Sequence, residues 1–351
     1  MSSDIKRQAQ YASIWGNTMT NYVNRQVVLR SRPRGIPALD DFQFREEKVP
    51  SIAPGQVLRR TTFLSLDPYV RRMMSTEESQ WAPMPLDKVI AGDTVSEVIE
   101  SLNPDYSEGD FVLGGDGWQE YAVSDGRGLR KIDPELKRKS LMLGALGMPG
   151  HTAYGALLDI GRPVEGETVV ISAAAGAIGS IAGQIAKIKG CRTVGITSSD
   201  EKCRVVTDVL GFDACINYRA EDVSSGLKRT CPGGIDIYYD NVAGPILEAV
   251  LENLKGGARI ALVGLISQYN AGGRPSGPNL VSILHAGALI QGYGGDHSKA
   301  VANFQNDMPG WISSGQVKPL EHIVTGLENA PSAFIGLFTG ENIGKLIVQF
   351  D

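Results

Sequence analysis

Cysteine and histidine are scarce in this chain, and their placement excludes several classes of protein. Of 351 residues, four are cysteine and four are histidine. All the cysteines lie in the second half, and no histidine has a close partner with ligand spacing. A zinc centre or a small disulfide scaffold needs clustered or regularly spaced side chains of these types. The sequence therefore predicts no metal site, no disulfide framework and a reducing, cytoplasmic compartment. The residues are Cys191, Cys203, Cys215, Cys231, His151, His285, His297 and His322.

Long apolar runs and an excess of positive charge are also absent. No apolar segment approaches the roughly 20 residues that span a membrane. The charged N-terminus, with Asp4, Lys6 and Arg7, lacks the apolar core of a secretory signal. A net charge of −5 gives no electrostatic footprint for nucleic acid. With 42% hydrophobic residues and this length, the chain predicts a two-domain globular protein that binds neither membranes nor nucleic acid.

An apolar strand, a turn of small residues and an Ala-, Ile- and Gly-rich helix follow one another over residues 168–183. This order suits a dinucleotide, because the turn lets the backbone approach a pyrophosphate and the helix N-terminus offers free N–H groups. Ala174 replaces the first glycine of G-x-G-x-x-G, but a second strand after Lys189-Gly190 supplies the expected context. The segment predicts a dinucleotide site; a small-residue turn without a ligand is the alternative.

The residues after that second strand favour NADPH. An NAD site usually carries Asp or Glu about 20 residues past the glycines, whereas this strand ends in Thr197-Ser198-Ser199. Asp200 comes later, where we expect it to cap a helix that begins at Glu201. Hydroxyls and the ammonium of Lys202 suit a 2′-phosphate, which needs donors and positive charge. The alternative for Lys202 is a solvated surface position.

Two patterns of secondary structure divide the chain. Closely spaced strands broken by Gly and Pro, up to about Ser140, predict an antiparallel, barrel-like domain. Strands that alternate with helices, from about Gly150, predict a parallel sheet covered on both faces. A last strand at 344–350 is placed to return to the first domain. The predicted strands are Gln26–Leu29, Gln56–Leu64, Thr94–Glu100, Asp110–Leu113, Gln119–Val123, Thr168–Ser172, Arg192–Ile196, Ala214–Asn217, Ile235–Tyr239, Ala258–Val263 and Ala288–Gly292.

Seven motifs carry a family resemblance that runs from about residue 25 to the end. They are Leu64–Tyr69, Leu146–Tyr154, Ala173–Gly179, Gly183–Lys187, Asp240–Gly244, Gly264–Asn270 and Gly340–Lys345. With them the chain resembles zinc-independent medium-chain dehydrogenases/reductases, in the branch of prostaglandin and leukotriene reductases and plant alkenal double-bond reductases. The resemblance implies an α/β protein with a GroES-like antiparallel β-barrel and a Rossmann doubly wound parallel sheet. It also implies NADPH-dependent reduction of the C=C bond of an α,β-unsaturated ketone or aldehyde.

The implied domain boundaries follow the change of pattern. Residues 1–24 form an N-terminal arm, either ordered or disordered. Residues 25–145 form the GroES-like substrate domain. Residues 146–314 form the Rossmann NADP-binding domain, and 315–351 return to the substrate domain.

The resemblance also implies the cofactor contacts. Ser198 stands where the branch commonly has Gly, so its hydroxyl either adds a donor or crowds the site. Ala243 replaces a family glycine, and His151 stands where Leu or Phe is frequent in the family. The resemblance therefore defines the shape of the substrate less closely than the identity of the cofactor. The contacts are Ala177 and Gly179 for the pyrophosphate, Ser198, Lys202 and Tyr218 for the 2′-phosphate, and Asn241 and Asn342 as polar contacts.

Tyr269 matches the family's proposed proton donor. Hydride arriving at the β-carbon of an enone leaves negative charge on the carbonyl oxygen, and a phenol with a pKa near 10 can protonate it. In the alternative mechanism the cofactor's ribose hydroxyl supplies the proton and Tyr269 only walls the pocket.

The sequence also leaves two alternative functions open and predicts an oligomeric state. The alternatives to an enone or alkenal reductase are a zinc-independent NADPH:quinone oxidoreductase and a non-catalytic NADPH-binding protein. Met148-Pro149-Gly150 and Ser267–Asn270 favour the reductase branch. The apolar late strand at Ala288–Gly292 is placed at a sheet edge and predicts a homodimer; a monomer with a covered edge is the alternative.

Overall fold

Two separate sheets organise the computed structural model, which describes residues 22–76, 82–273, 276–294 and 298–351. The strands of the first part are antiparallel. Strand β3 is central: it pairs with β4, β6 and the last strand, β15 (Lys345–Gln349), while β1 and β2 form a hairpin beside this sheet. The strands are β1 (Val23–Leu29), β2 (Phe42–Lys48), β3 (Val57–Ser65), β4 (Thr94–Ser101), β5 (Phe111–Gly114), β6 (Tyr121–Ser124) and β7 (Arg130–Lys131).

The second sheet is parallel, and its strands follow the order β10-β9-β8-β11-β12-β13 in the described part of the chain. Continuous apolar stretches explain this, because helices cover both faces of the sheet and bury each strand on two sides. The strand order reverses between β8 and β11, the place where doubly wound sheets bind ligands. These strands are β8 (Thr168–Ser172), β9 (Arg192–Thr197), β10 (Ala214–Asn217), β11 (Ile235–Asp240), β12 (Leu254–Leu262) and β13 (Leu289–Gly292).

Helices fill the connections between strands. We label them α1 (Val70–Met73), α2 (Met148–Gly155), α3 (Gly179–Ile188), α4 (Asp200–Arg204), α5 (Val223–Thr230), α6 (Gly244–Leu251), α7 (Val281–Ala286), α8 (Ser298–Ser313) and α9 (Ala330–Thr339). Helices α2 and α4 continue into wider turns at Ala156–Gly161 and Val205–Val209. None of the helices described combines the length and apolar character needed to cross a membrane.

The end of the chain packs on the first domain. Strand β14 (Glu321–Thr325) runs parallel to β15 (Lys345–Gln349), and β15 pairs antiparallel with β3. Helix α9 adds Phe334 to a buried aromatic group with Phe42 and Trp118, whose rings lie 5.5–6.4 Å apart. Apolar burial therefore ties the last 30 residues to the antiparallel sheet.

The predicted fold class is confirmed, with differences at particular elements. Strands β2, β7 and β14 were missed, because β2 and β7 carry mostly charged or exposed residues and β14 is half-exposed. The helix cap was also placed wrongly: Ser199 accepts the Lys202 N–H at 3.2 Å, and the helix begins at Asp200. Residues 1–21 of the predicted N-terminal arm lie outside the described residues. The last two residues of the arm, Val23 and Asn24, belong to β1.

A disulfide joins Cys203 and Cys215, contrary to the expectation of no disulfide framework. Their sequence separation of 12 residues carries no pattern, but α4 and β10 are neighbours in the fold and bring the two Cα atoms to 5.3 Å. Cys191 and Cys231 are free and buried. Cysteine usage therefore no longer supports a reducing compartment, and the cytoplasmic location stays a prediction.

Candidate functional site

The turn between β8 and α3 brings the backbone to the carboxyl edge of the parallel sheet. Ala173 takes a left-handed φ of 50°, and the Gly176 N–H donates to the Ala173 carbonyl at 2.9 Å. A Cβ at Gly179 would collide with that same carbonyl oxygen, so only glycine fits where α3 begins. Ala177 lies within this turn. The turn and the helix N-terminus form a cradle for an anionic group, as the pyrophosphate assignment requires.

The substitution of the first motif glycine by Ala174 has a compensating partner. Ala174 is fully buried, and a Cβ added at Gly195 of β9 would lie 2.8 Å from the Ala174 Cβ. Because Gly195 has no side chain, the neighbouring strand leaves the space that the methyl group of Ala174 occupies. The cradle keeps its shape despite the departure from G-x-G-x-x-G.

Ser198 and Lys202 converge beside Gly340. A Cβ placed on Gly340 would lie 3.0 Å from the Ser198 Oγ and 3.7 Å from the Lys202 Nζ. Burial is the main cause that lowers the pKa of Lys202, and the nearby Arg219 lowers it further. A half-buried ammonium next to a hydroxyl is an arrangement that binds an anion such as phosphate.

Arg219 is a cation at this place that the sequence analysis missed. Its Nη2 donates to the Thr339 carbonyl at 2.8 Å, and its guanidinium carbon lies 6.0 Å from the centroid of the Tyr218 ring. In the sequence, the position of Arg219 directly after Tyr218, just past the end of β10, is the feature that indicates it. The structure thus brings Ser198, Lys202 and Tyr218 together and adds a second positive charge.

Asn241 lies at the end of β11, across the switch point from β8. Its backbone N–H donates to the Ser172 Oγ at 2.9 Å, and its Nδ2 donates to the Ser172 carbonyl at 2.7 Å. The buried Asp240 holds this turn through one oxygen, Oδ1, which accepts from the Ser172 and Tyr238 hydroxyls and from the Val242 N–H. Burial raises the pKa of Asp240. Asn241 is therefore fixed at the edge of the cradle.

Ala243 occupies a backbone conformation that favours glycine, with φ 62° and ψ −154°. Such a conformation costs an alanine about 1–3 kcal/mol. We expect Ala243→Gly to stabilise the protein by about 1 kcal/mol, after the larger entropy of glycine in the unfolded chain is subtracted. Denaturant unfolding measures the difference. Ala249→Gly, inside the helix α6 that follows Ala243, is the control and should destabilise by about 1 kcal/mol; equal losses in both variants would contradict strain at 243.

The crossover to the antiparallel domain passes directly over the cradle. Gly344 bridges to Gly176, and its N–H donates to the Ala175 carbonyl at 2.7 Å. Asn342, two residues earlier, donates from Nδ2 to the Gly344 carbonyl at 2.8 Å. Asn342 is therefore held beside the turn, although it belongs to another part of the chain, and its contact with a cofactor stays a prediction.

Tyr269 lies in the loop after β12, at the cleft between the two sheets. Its N–H donates to the Ile266 carbonyl at 3.3 Å. Burial raises the pKa of the Tyr269 phenol, while a backbone hydrogen bond at Leu265 and the charge of Arg72 act in the opposite direction. The phenol is therefore protonated at neutral pH, and the Tyr269 side chain is half-buried.

A buried ion pair on the antiparallel side of the cleft was not predicted. Lys345, 2% exposed, donates from Nζ to Asp67 Oδ1 at 2.6 Å and to the Leu66 carbonyl at 2.9 Å. The Ser65 hydroxyl donates to the other Asp67 oxygen. Burial, and then the Asp67 charge, raise the pKa of the neighbouring Asp93. Among the described residues, no group of three or more His, Cys, Asp or Glu side chains is arranged to hold a metal ion.

Comparison with known proteins places this geometry among oxidoreductases. A profile described as the N-terminal domain of oxidoreductase matches residues 25–132, and one described as zinc-binding dehydrogenase matches residues 177–299. The chain is 47% identical to the NADPH-dependent curcumin reductase of Escherichia coli (strain K12), over 93% of this chain and 96% of that protein.

Two further similarities extend this result. The chain is 38% identical to the 2-alkenal reductase (NADP(+)-dependent) of Nicotiana tabacum, over 93% of this chain and 97% of that protein. It is similar to the crystal structure of CurA in complex with NADPH from Vibrio vulnificus, with a TM-score of 0.89 and 45% identity over 93% of this chain and 99% of that one.

Proposed function

Because this chain belongs to the medium-chain dehydrogenases/reductases, in their zinc-independent branch, we propose that it reduces the C=C bond of α,β-unsaturated ketones and aldehydes with NADPH. The family resemblance found in the motifs is confirmed. The enzyme class, an NADP-dependent oxidoreductase, is common to the relatives that the chain matches along almost its whole length. The enone or alkenal substrate is the finer part of the proposal.

The observation that carries the cofactor assignment is the cationic cluster beside Gly340. Ser198 and Lys202 lie side by side there, and Arg219 lowers the pKa of Lys202, so the two charges are close. A site for NAD usually carries a carboxylate at this position, and that carboxylate would repel a 2′-phosphate. The cradle at Gly179 fits a pyrophosphate, and the cluster fits the extra phosphate of NADPH.

The proposed division of labour follows from where each residue lies. NADPH supplies a hydride when it is bound. The cradle and the cationic cluster bind and orient the phosphates, and Asn241 and Asn342 flank the turn as polar contacts. As the β-carbon of the substrate gains hydride, its carbonyl oxygen gains negative charge. Tyr269 donates its phenolic proton to that oxygen, which gives an enol. The enol tautomerises to the saturated carbonyl compound, and the Tyr269 phenolate regains a proton from solvent.

A direct test follows the absorbance of NADPH with a simple 3-alken-2-one, in the presence and absence of a chelator. We expect steady oxidation, a saturated ketone as product and no effect of the chelator, because the proposed mechanism uses Tyr269 in place of a metal. A simple quinone, run in parallel, tests the alternative quinone oxidoreductase. Turnover of the quinone alone would replace the proposal with that alternative, and binding of NADPH without turnover of either would indicate a non-catalytic protein.

Lys202→Ala should raise the KM for NADPH about tenfold or more, since a charge-assisted hydrogen bond contributes about 1.5–3 kcal/mol. The constants for NADH should hardly change, because NADH has no 2′-phosphate for Lys202 to bind. Steady-state kinetics with both cofactors measure the two effects. The exposed Lys189→Ala serves as the control for a lost positive charge. Equal losses with NADPH and NADH would remove Lys202 from the 2′-phosphate site.

A homodimer is the proposed assembly. The edge strand β13 and the adjacent α7 expose large apolar side chains, with Leu284 78% and Leu289 45% exposed. Pairing of two β13 edges would bury these side chains and extend the parallel sheet. Light scattering at micromolar concentration should give twice the 37.6 kDa of one chain. Leu284→Glu should shift the mass towards one chain, and a wild-type mass of one chain would refute the dimer.

A further inference from the structure

Arg71 connects the two domains across the cleft through a buried guanidinium. It lies in α1 of the antiparallel domain and is 4% exposed. Its Nη2 donates to the carbonyls of Pro33 at 3.1 Å and Gly35 at 2.9 Å, within its own domain. Its Nε donates both to the Gly35 carbonyl at 3.2 Å and to Asn270 Oδ1 at 3.1 Å. Asn270 lies 199 residues away in the sequence, in the nucleotide-binding domain.

Asn270 directly follows Tyr269 in the loop after β12. The start of that loop is anchored within the nucleotide-binding domain, because the Ser267 N–H and hydroxyl both donate to the Val242 carbonyl, at 3.2 and 2.5 Å. The end of the loop runs into Gly272 and Gly273, whose backbones are intrinsically flexible. The contact of Asn270 with Arg71 lies between the anchored start and the flexible end, one residue after Tyr269 in the chain.

We propose that Arg71 is a positioning residue, which acts through Asn270 to hold the Tyr269 phenol over the substrate when the two domains face each other. This inference rests on the proposed function, in which Tyr269 donates the proton. A guanidinium suits the role, because its planar fork reaches carbonyls on one side and an amide oxygen on the other at the same time. A lysine has one charged atom and could not span both sides.

The contact predicts a specific kinetic signature. Asn270→Ala should lower kcat about tenfold or more while the KM for NADPH stays within about twofold, because small displacements of a catalytic group are costly. Asn270→Asp keeps an acceptor oxygen towards Arg71 and should restore most of kcat. Asn270→Ala should cause no further loss in a protein that already carries Tyr269→Phe, since the two changes remove the same contribution. Gln268→Ala, in the same loop, is the matched control and should leave kcat unchanged.

Hydrogen exchange provides a readout that does not need turnover. The Tyr269 and Ala271 N–H groups donate to the Ile266 and Gln268 carbonyls within the loop. Asn270→Ala, and separately Arg71→Met, should speed exchange at these two amides, whereas Gln268→Ala should not. Absence of enone turnover in the wild type would refute the proposed function and leave this measurement to decide the inference. Unchanged exchange in Asn270→Ala, or a full additional loss in the Tyr269→Phe background, would overturn it.

Discussion

Tyr269→Phe is expected to lower kcat about a hundredfold, the size of effect typical of a positioned general acid. NADPH binding should stay nearly unchanged, because the hydroxyl acts mainly in the transition state, and kcat and kcat/KM should therefore fall together. The substitution keeps the ring, so the wall of the pocket remains. Only the proton donor is removed.

The environment of Tyr269 also predicts the direction of the pH dependence. Burial raises the pKa of the phenol above its usual 10. The acid form is therefore present throughout the neutral range, and kcat should decline only when the pH rises into the strongly alkaline range. In Tyr269→Phe this alkaline decline should be absent, whatever residual rate remains.

Stopped-flow measurement at saturating NADPH, with one 3-alken-2-one, compares the two proteins directly. Tyr22→Phe, at an exposed tyrosine of the antiparallel domain outside the proposed site, is the control for the loss of a tyrosine hydroxyl. A turnover of Tyr269→Phe within about threefold of wild type would assign the proton to the ribose hydroxyl or to water.

The parallel half of the fold could be predicted well because its strands are buried on both faces. The predicted bounds of β8 and β10 agree with the structure residue by residue, and β9 differs by one residue. Continuous apolar runs bounded by Gly and charged residues give such clear limits. Strand β2, with the sequence Phe-Gln-Phe-Arg-Glu-Glu-Lys, is formed by pairing with β1 and not by its own burial, so no local pattern announced it.

The candidate site divides in the same way between local and distant information. Ser198 and Lys202 follow one strand, and their common position is a local consequence of its end. Arg219 joins them through the neighbouring strand β10, a relationship that requires the sheet order. The disulfide between Cys203 and Cys215, and the contact of Arg71 with Asn270, depend on tertiary packing that no spacing in the sequence encodes.

The second large effect is expected at Lys345, whose side chain is only 3% exposed. Removing one partner of a buried ion pair leaves the other charge uncompensated and typically costs about 3–5 kcal/mol. Lys345→Met should therefore lower the free energy of unfolding by that amount, and Asp67→Asn in the Lys345→Met protein should recover part of it. Lys255, whose side chain is 54% exposed and whose Nζ lies 2.9 Å from Asp236, provides a control with an exposed ammonium. Lys255→Met should cost less than about 1 kcal/mol.

The carboxyl group of Asp93 gives this prediction a pH dependence with a defined sign. Its pKa is raised by burial and by Asp67, and Lys345 opposes that rise. Loss of Lys345 should raise the pKa of Asp93 further. A raised pKa in the folded state means that the folded protein binds more protons, so stability is present at low pH and is lost as the pH rises through that pKa. Lys345→Met should therefore lose more stability relative to wild type at pH 8 than at pH 5, as denaturant unfolding at the two values can measure. A deficit that is equal at both pH values would contradict the coupling of Lys345 to Asp93, and a deficit no larger than that of Lys255→Met would show that the buried pair does not stabilise this side of the cleft.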